Sequence, residues 1–394
     1  MKKIGIGLIG TGFMGKCHAL AYRQVSAIFG LSLQPVLAHV VDTDLSIAAQ
    51  FAKQYGFNRY SLDWRALLED QAVDLIAVTT PNDLHEEICL AALSAGKHVH
   101  CEKPLALNAQ SAWRMKQAAE KAGLKTMVGY NYLKSPAIQH AISLIKSGVI
   151  GSIYQVTAQY REDYLADSAK PFSWRCRKER AGSGALGDLG CHLISLLRAC
   201  VGPIRSVMAD TQIVISEREG GRVENEDQLQ ALVSFENGAT GIFTTSRVGW
   251  GRKMGLEIEL TGELGTLVFN QERMNELRLY TRPDADNFNN QGFKTILMGP
   301  EHPDYGYFCP APGHGLGYND LKIIEVKDLL VSIAEDRPSY PDFKEGYEIA
   351  LVCDAMLRSS ELGRRCELAA LRGEHSVIDR LDNRLGCEGS LMNS

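Results

Sequence analysis

An apolar run over residues 4–9 ends at Gly10-Thr11-Gly12-Phe13-Met14-Gly15, and a helical pattern begins at once, with Cys17, Leu20, Ala21 and Val25 on one face. A buried strand that becomes a helix through Gly-x-Gly-x-x-Gly is tightly constrained. Gly10 permits the sharp turn, Gly12 leaves the backbone open to close approach, and Gly15 lets helix and strand pack together. The first amides of the helix stay unsatisfied, and together with the helix dipole they favour an anion over the turn. In this context the motif, with Phe13 and Met14 as its first side chains, predicts a seat for a dinucleotide pyrophosphate. A glycine turn with no ligand is the competing reading.

The strand and helix rhythm continues to residue 130. Buried strands are predicted over 4–9, 36–41, 75–79, 98–101 and 126–130. The clearest helices between them span 84–95, stopped by Gly96, and 108–122, capped by Asn108 and stopped by Gly123. Such alternation means a parallel sheet covered on both faces. Beyond 130 the pattern changes to a helix over 136–146, a strand over 153–161, a glycine-rich segment and a helix over 185–200. Strands then follow over 204–215, 228–235, 240–248, 256–261, 266–269 and 276–281, joined by turns such as Glu236-Asn237-Gly238, which predicts an antiparallel sheet. Residues 282–318 show no period and are expected to form a partly ordered lid or rim. Helices over 321–335 and 344–362 follow, and the tail beyond Arg364 carries charge but no structural signal.

At 394 residues the chain exceeds the size at which one core stops growing, which also predicts two domains. With 45% hydrophobic and 23% charged residues it has an ordinary globular composition, and no apolar run is long enough to cross a bilayer. A net charge of -5 with interspersed signs offers no basic stripe for nucleic acid, so a small-molecule partner is expected. The ten cysteines, Cys387 among them, stand singly, as reduced thiols do. Glycines interrupt the Met1-Lys2-Lys3-Ile4-Gly5 start before a signal core can form, and the cytoplasm is the expected location.

The predicted strand over 36–41 runs into Asp42, whose carboxylate would accept hydrogen bonds from the adenosine ribose and repel a 2'-phosphate. That favours NAD over NADP. The interval from Gly15 is longer than the ~20 residues usual for this fingerprint, implying an extended loop around 29–34. Asp42 could instead serve only as a turn residue in Asp42-Thr43-Asp44.

Two later strand ends carry Thr80-Pro81-Asn82-Asp83-Leu84-His85 and Glu102-Lys103-Pro104. Ligands bind along the carboxyl edge of an open parallel sheet, so Lys103 would point into the cleft, where an ammonium can stabilise a developing alkoxide. The alternative for a lone lysine is a solvated cation. In Gly182-Ser183-Gly184-Ala185-Leu186-Gly187-Asp188-Leu189-Gly190-Cys191-His192, Asp188 and His192 fall on one helical face. The histidine can take a hydroxyl proton, and the carboxylate can orient it or hold a neighbouring hydroxyl. A surface pair is the competing reading. His98, His100 and Cys101 alternate across a strand and cannot converge on one ion, so no metal is expected.

Taken in order, the glycine turn, Glu102-Lys103-Pro104 and Gly184-x-x-x-Asp188-x-x-x-His192 resemble the glucose-fructose oxidoreductase, inositol dehydrogenase and MocA (Gfo/Idh/MocA) family over about residues 1–363. The resemblance implies an α/β fold: an N-terminal Rossmann doubly wound parallel sheet (1–130), then a C-terminal α+β domain with an open, mostly antiparallel sheet (131–394). It further implies an NAD-dependent oxidoreductase that moves a hydride from a ring carbinol of a sugar, anhydrosugar or polyol to nicotinamide. Lys103 matches the catalytic lysine, often preceding a cis proline, Asp188 the substrate-binding aspartate, and His192 the general base. Thr80, Pro81, Asn82 and His85 match cofactor-contacting positions, and Glu102 lies beside the nicotinamide. The family commonly assembles through the exposed sheet face, which implies a homodimer or homotetramer. Phe172-Ser173-Trp174-Arg175 and Gly315-Leu316-Gly317-Tyr318 resemble the levoglucosan dehydrogenase branch and place Trp174, Arg175 and Tyr318, with Asn131 and Tyr132, among the substrate contacts. Trp174 could pack on a pyranose ring or serve as a buried anchor. Many relatives carry an arginine where this chain reads Leu133-Lys134 after Asn131-Tyr132. An NAD-using glycosidase acting by transient oxidation and elimination, or a non-enzymatic dinucleotide sensor, are the rival expectations.

Overall fold

The computed structural model describes residues 2–286 and 288–374; Cys387 and the rest of the tail lie outside them. The N-terminal half builds a parallel sheet from β1 (Lys2–Ile9), β2 (Leu33–Val41), β3 (Arg59–Ser61), β4 (Leu75–Val78), β5 (His98–Cys101) and β6 (Thr126–Val128), with strand order β3-β2-β1-β4-β5-β6. This is the doubly wound order of dinucleotide-binding folds, with the topological switch between β1 and β4. Its helices are α1 (Phe13–Phe29), α2 (Leu45–Tyr55), the short α3 (Ala66–Glu69), α4 (His85–Ser94) and α5 (Ala109–Ala122). Asn108 caps α5 by accepting from Ser111 N at 2.9 Å, and Gly123 ends it in the left-handed conformation.

Two expectations change here. The long interval after Gly15 is helix rather than loop: α1 runs to Phe29, Gly30 terminates it at φ 62°, and β2 already begins at Leu33. The sheet also has six strands, because β3, three residues long and half-exposed, carries no apolar run to reveal it.

The C-terminal half contains α6 (Pro136–Lys146), β7 (Ile153–Arg161), α7 (Lys178–Ala181) and α8 (Cys191–Cys200), preceded by a π-helical turn over Leu186–Gly190. Then come β8 (Ile204–Gln212), the short hairpin of β9 (Glu217–Arg218) and β10 (Gly221–Arg222), β11 (Gln228–Phe235), β12 (Thr240–Ser246), β13 (Gly255–Gly262), β14 (Gly265–Asn270), β15 (Glu276–Thr281), α9 (Arg282–Ala285) and β16 (Lys294–Leu297). Then follow α10 (Tyr318–Ala334), α11 (Phe343–Leu362) and β17 (Cys366–Glu367). Nine strands form one sheet in the order β16-β15-β14-β13-β7-β12-β11-β8-β17, antiparallel except where β12 runs parallel to β7. The segment 282–318 is tied down by β16 and by buried Met298, Tyr305 and Leu316. The tail likewise contributes β17, paired with β8.

One face of this sheet packs under α8 and α11, while the other leaves Tyr154, Met208, Leu232 and Ile242 exposed, with Leu232 in register with both Met208 and Ile242. The chain crosses back near its end: Ile323, Val326, Leu329 and Leu330 of α10 share a core with Ile4, Ile6 and Tyr22 under the parallel sheet. Among the described residues no helix is long and apolar enough to cross a membrane.

Helix α11 also supports the parallel half. Asp354 accepts from Ala109 N, the first amide of α5, at 2.8 Å, and burial pushes its carboxyl up to about 6. A folded pKa above the unfolded value means stability is complete below about pH 4 and is lost as pH rises through 6. Asp354→Asn, which keeps an acceptor for Ala109, is therefore expected to stabilise the protein by about 3 kcal/mol at pH 7 and by less than about 1 kcal/mol at pH 4. Thermal melts of both proteins across pH check this; a pH-independent difference contradicts it.

Candidate active site

The glycine turn sits where β1 hands over to α1. Gly10 adopts φ 94°, and a Cβ at Gly15 would lie 2.2 Å from Gly10 O, so neither position tolerates a side chain without backbone movement. A Cβ at Gly12 would meet nothing within 4 Å. No side chain caps α1 and no acidic residue occupies its first turn, so its amides remain free for an anion. Gly10, Thr11, Gly12, Phe13 and Met14 line one wall of a cavity of about 570 Å³. Asp42 lies in the same wall, and its Oδ2 accepts from Thr11 N at 3.0 Å and from Thr11 Oγ1. Asp42 thus fixes the turn, while Asp44, the other acid of the triplet, caps α2. Leu62 and Trp64 complete this end; the sequence concealed them because they follow the unrecognised β3.

The far end of the cavity is built by both halves of the chain. Thr80, Pro81 and Asn82 follow β4 in its wall, and Asn82 Nδ2 donates to Ala181 O at 3.0 Å. His85 is fully buried and is not part of the wall. Its ring nitrogens lie 2.9 Å from Pro104 O and 3.1 Å from Thr80 O, so it ties two strand ends together instead of lining the cavity.

Lys103 follows β5, and its peptide bond to Pro104 is cis. Its Nζ donates to Asp188 O and Asp188 Oδ1, each at 2.8 Å. Burial pushes this ammonium toward a lower pKa, but the Asp188 charge dominates and holds it above its ordinary value. Burial would raise Asp188, yet Lys103 and Arg175 hold its carboxyl well below the usual range. Tyr164 Oη donates to Asp188 Oδ2, and Arg175 Nε lies 4.0 Å from the same oxygen. Arg175 also stacks over Trp174 at 4.6 Å; both side chains stand in the cavity wall, and neither is a core anchor.

Of the two roles open to Asp188, orienting His192 or holding a neighbouring hydroxyl, the first has no hydrogen bond behind it: its carboxylate oxygens accept from Lys103 and Tyr164. His192 is 4% exposed and outside the wall, its ring 4.3 Å from that of Tyr132, and its Nδ1 has no partner. Burial and then the Lys103 charge push its pKa well down, so the imidazole is neutral. Asn131 and Tyr132 are buried beside it, and Tyr318 reaches from α10 to Met14 Sδ at 3.4 Å and to the Phe13 ring at 5.8 Å. Lys134 turns away, donating to Asp328 Oδ2 and Tyr340 O, so this position adds no cation to the site.

Three supporting residues, His18, Lys322 and Glu226, carried no sequence signal. Glu102, in the wall, accepts from Lys322 Nζ at 2.8 Å and from His18 Nε2 at 2.7 Å. Burial would raise its pKa, but Lys322 and His18 keep it ionised. Glu226 accepts from Gly184 N and Leu186 N and so anchors the turn that presents Asp188. A Cβ at Gly184 would strike Glu226 O at 1.9 Å, which explains the glycine. Among the described residues, no group of three or more His, Cys, Asp or Glu side chains is arranged to hold a metal ion.

Residues 4–130 match the model of an oxidoreductase family with an NAD-binding Rossmann fold, and residues 138–268 match the GFO/IDH/MocA C-terminal domain. Levoglucosan dehydrogenase from Pseudarthrobacter phenanthrenivorans is 37% identical over 379 residues, 91% of this chain and 97% of that protein. A solved levoglucosan dehydrogenase complex with NADH and levoglucosan is similar with a TM-score of 0.91 at 37% identity, covering 93% of this chain and 100% of the other. An NAD-binding oxidoreductase from Klebsiella pneumoniae has a TM-score of 0.88 at 41% identity, covering 93% and 99%. The glycine turn, Lys103 and the Asp188 to His192 segment all lie inside the matched regions, and the chain belongs to the Gfo/Idh/MocA family of NAD-dependent oxidoreductases.

Proposed function

We propose that the protein oxidises one ring hydroxyl of a sugar, anhydrosugar or polyol to a ketone, with residues 1–130 holding the dinucleotide and 131–394 the sugar. The observation that carries this reading is the single cavity that begins at the glycine turn and ends at the Lys103 to Asp188 pair. NAD held along Gly10 to Met14 would supply the hydride acceptor for the carbinol carbon. Lys103, held charged by Asp188, donates to the reacting oxygen and stabilises its alkoxide character. His192, which burial disfavours as a cation, is the group assigned to accept the hydroxyl proton, standing behind the cavity wall beside Tyr132. Asp188, with Tyr164 and Arg175, holds the sugar beside Lys103, and Trp174 offers an apolar face to the ring.

Levoglucosan dehydrogenase is the name borne both by the curated relative and by the solved neighbour described above, which makes that anhydrosugar the first substrate to try. NADH production from a panel of pyranoses, levoglucosan and inositols tests the proposal, with the keto product identified by NMR. A protein that binds NAD yet oxidises none of them would refute it.

Asp42 sets the nucleotide preference in this reading. Asp42→Ala is expected to shrink the NAD over NADP ratio of kcat/KM by about tenfold or more, since a charged acceptor is lost. A wild-type protein that already prefers NADP contradicts it. The exposed row of Met208, Leu232 and Ile242, with Tyr154, supports a homodimer or homotetramer through this sheet face, which light scattering reads directly. A reducing, cytoplasmic setting fits the nine free cysteines among the described residues, and cell fractionation tests it.

A further inference from the structure

Glu102 belongs to the cavity wall, but its charge is joined to a buried cluster that reaches back under the parallel sheet. Lys322 Nζ, from α10, donates to Glu102 Oε1 at 2.8 Å and to Glu325 Oε1 at 2.6 Å. His100 Nε2 lies 2.9 Å from the same oxygen of Glu325, and His18 Nε2 lies 2.7 Å from Glu102 Oε1. Lys322, Glu325, His18 and His100 are completely enclosed.

Two carboxylates therefore share one ammonium. Among the described residues Tyr22 Oη has only His100 Nδ1 as a partner, at 3.0 Å, so its hydrogen is assigned there and His100 carries its proton on Nε2, toward Glu325. His18 Nδ1 has no partner among them, which disfavours a second proton on that ring, and burial pushes it down to about 4. Neither imidazole then offsets the second carboxylate. Lys103, next along the chain, has its charge taken up by Asp188. The cluster keeps one negative charge in excess at the edge of the cavity.

Packing alone does not call for this arrangement. Buried ion pairs are often no more stabilising than apolar groups of the same size, and an unbalanced buried charge costs more. A dinucleotide supplies a reason, because its reactive ring is a cation when oxidised and neutral once it has taken a hydride. In the function proposed above that ring lies within reach of Lys103, and Glu102 is the adjoining residue of the wall.

We propose that the cluster of Glu102, Lys322 and Glu325 sets the redox preference of the cofactor site, its surplus negative charge favouring oxidised NAD over NADH. Charges enclosed in this way are screened little by water or salt, so Glu325 acts on the ring without touching it. The inference rests on the function proposed above and adds what tunes its cofactor.

Glu325→Gln is the sharper test, because Glu325 does not line the cavity and glutamine keeps an acceptor for Lys322 and His100. Titrating NADH by its fluorescence, and NAD by competition against NADH, gives both dissociation constants with no sugar present. The preference for NAD, read as the NADH constant divided by the NAD constant, is expected to fall about fivefold in Glu325→Gln and about tenfold or more in Glu102→Gln. A ratio within about twofold of the wild type in either variant overturns the proposal, as does an equal shift of both constants. A wild type that binds neither form overturns this inference and the function proposed above together. One that binds both forms yet oxidises no sugar refutes that function, while the ratios still decide the role of the cluster.

Discussion

Lys103→Ala is expected to lower kcat about a thousandfold while the NAD dissociation constant moves by no more than about threefold. The ammonium makes two bonds to Asp188 and is the one lysine in the cavity wall among the described residues, so in the proposed reaction its loss removes the charge that would face a developing alkoxide. The fold should survive. Asp188 keeps the Tyr164 hydroxyl and the neighbouring Arg175, and its side chain is 29% exposed, so leaving it without Lys103 costs less than breaking a fully enclosed pair. Lys103→Met serves as a size-matched control that separates lost charge from lost volume. Steady-state kinetics paired with NADH fluorescence titration read the two quantities separately. Turnover within about tenfold of wild type would remove Lys103 from the chemistry.

Gly12 and Gly15 belong to one motif but should fail in opposite ways. Gly15→Ala drives a methyl to 2.2 Å from the Gly10 carbonyl oxygen, and that carbonyl belongs to a turn already set by Gly10 at φ 94°. We expect a loss of about 3 kcal/mol, visible as a large fall in melting temperature with or without NAD. Gly12→Ala should leave the melting temperature of the free protein nearly unchanged, since its backbone sits at φ -64° and a Cβ there meets nothing. Its methyl instead projects into the cavity, where it should weaken NAD about tenfold or more. Equal destabilisation of the free protein by both variants would show that the motif serves folding alone.

These contrasts mark how far local pattern carries. The strand, turn and helix around Gly10, the caps at Asn108 and Gly123, and the strand ends at Thr80 and Lys103 are legible because each follows from short-range chemistry. Strands β3, β16 and β17 were hidden, being two to four residues long and dependent on partners far away in sequence. The supposed loop around 29–34 shows a related limit. A helix continues past its last strongly periodic residue when the core beside it is filled, and here α10, three hundred residues later, fills it.

The sequence by itself determined the strand, glycine turn and helix at Gly10 to Gly15, and it pointed to a dinucleotide there, to Asp42 for its ribose end, and to Lys103, Asp188 and His192 as the chemically apt groups. Only the tertiary structure decided who pairs with whom. Asp188 binds Lys103 and Tyr164 rather than His192, His85 braces two strand ends, and Lys322 and His18 keep Glu102 charged. The physical reason is competition. Spacing shows which groups can meet along one helix, but a carboxylate goes to the strongest donors that folding brings to it, and those donors come from distant parts of the chain.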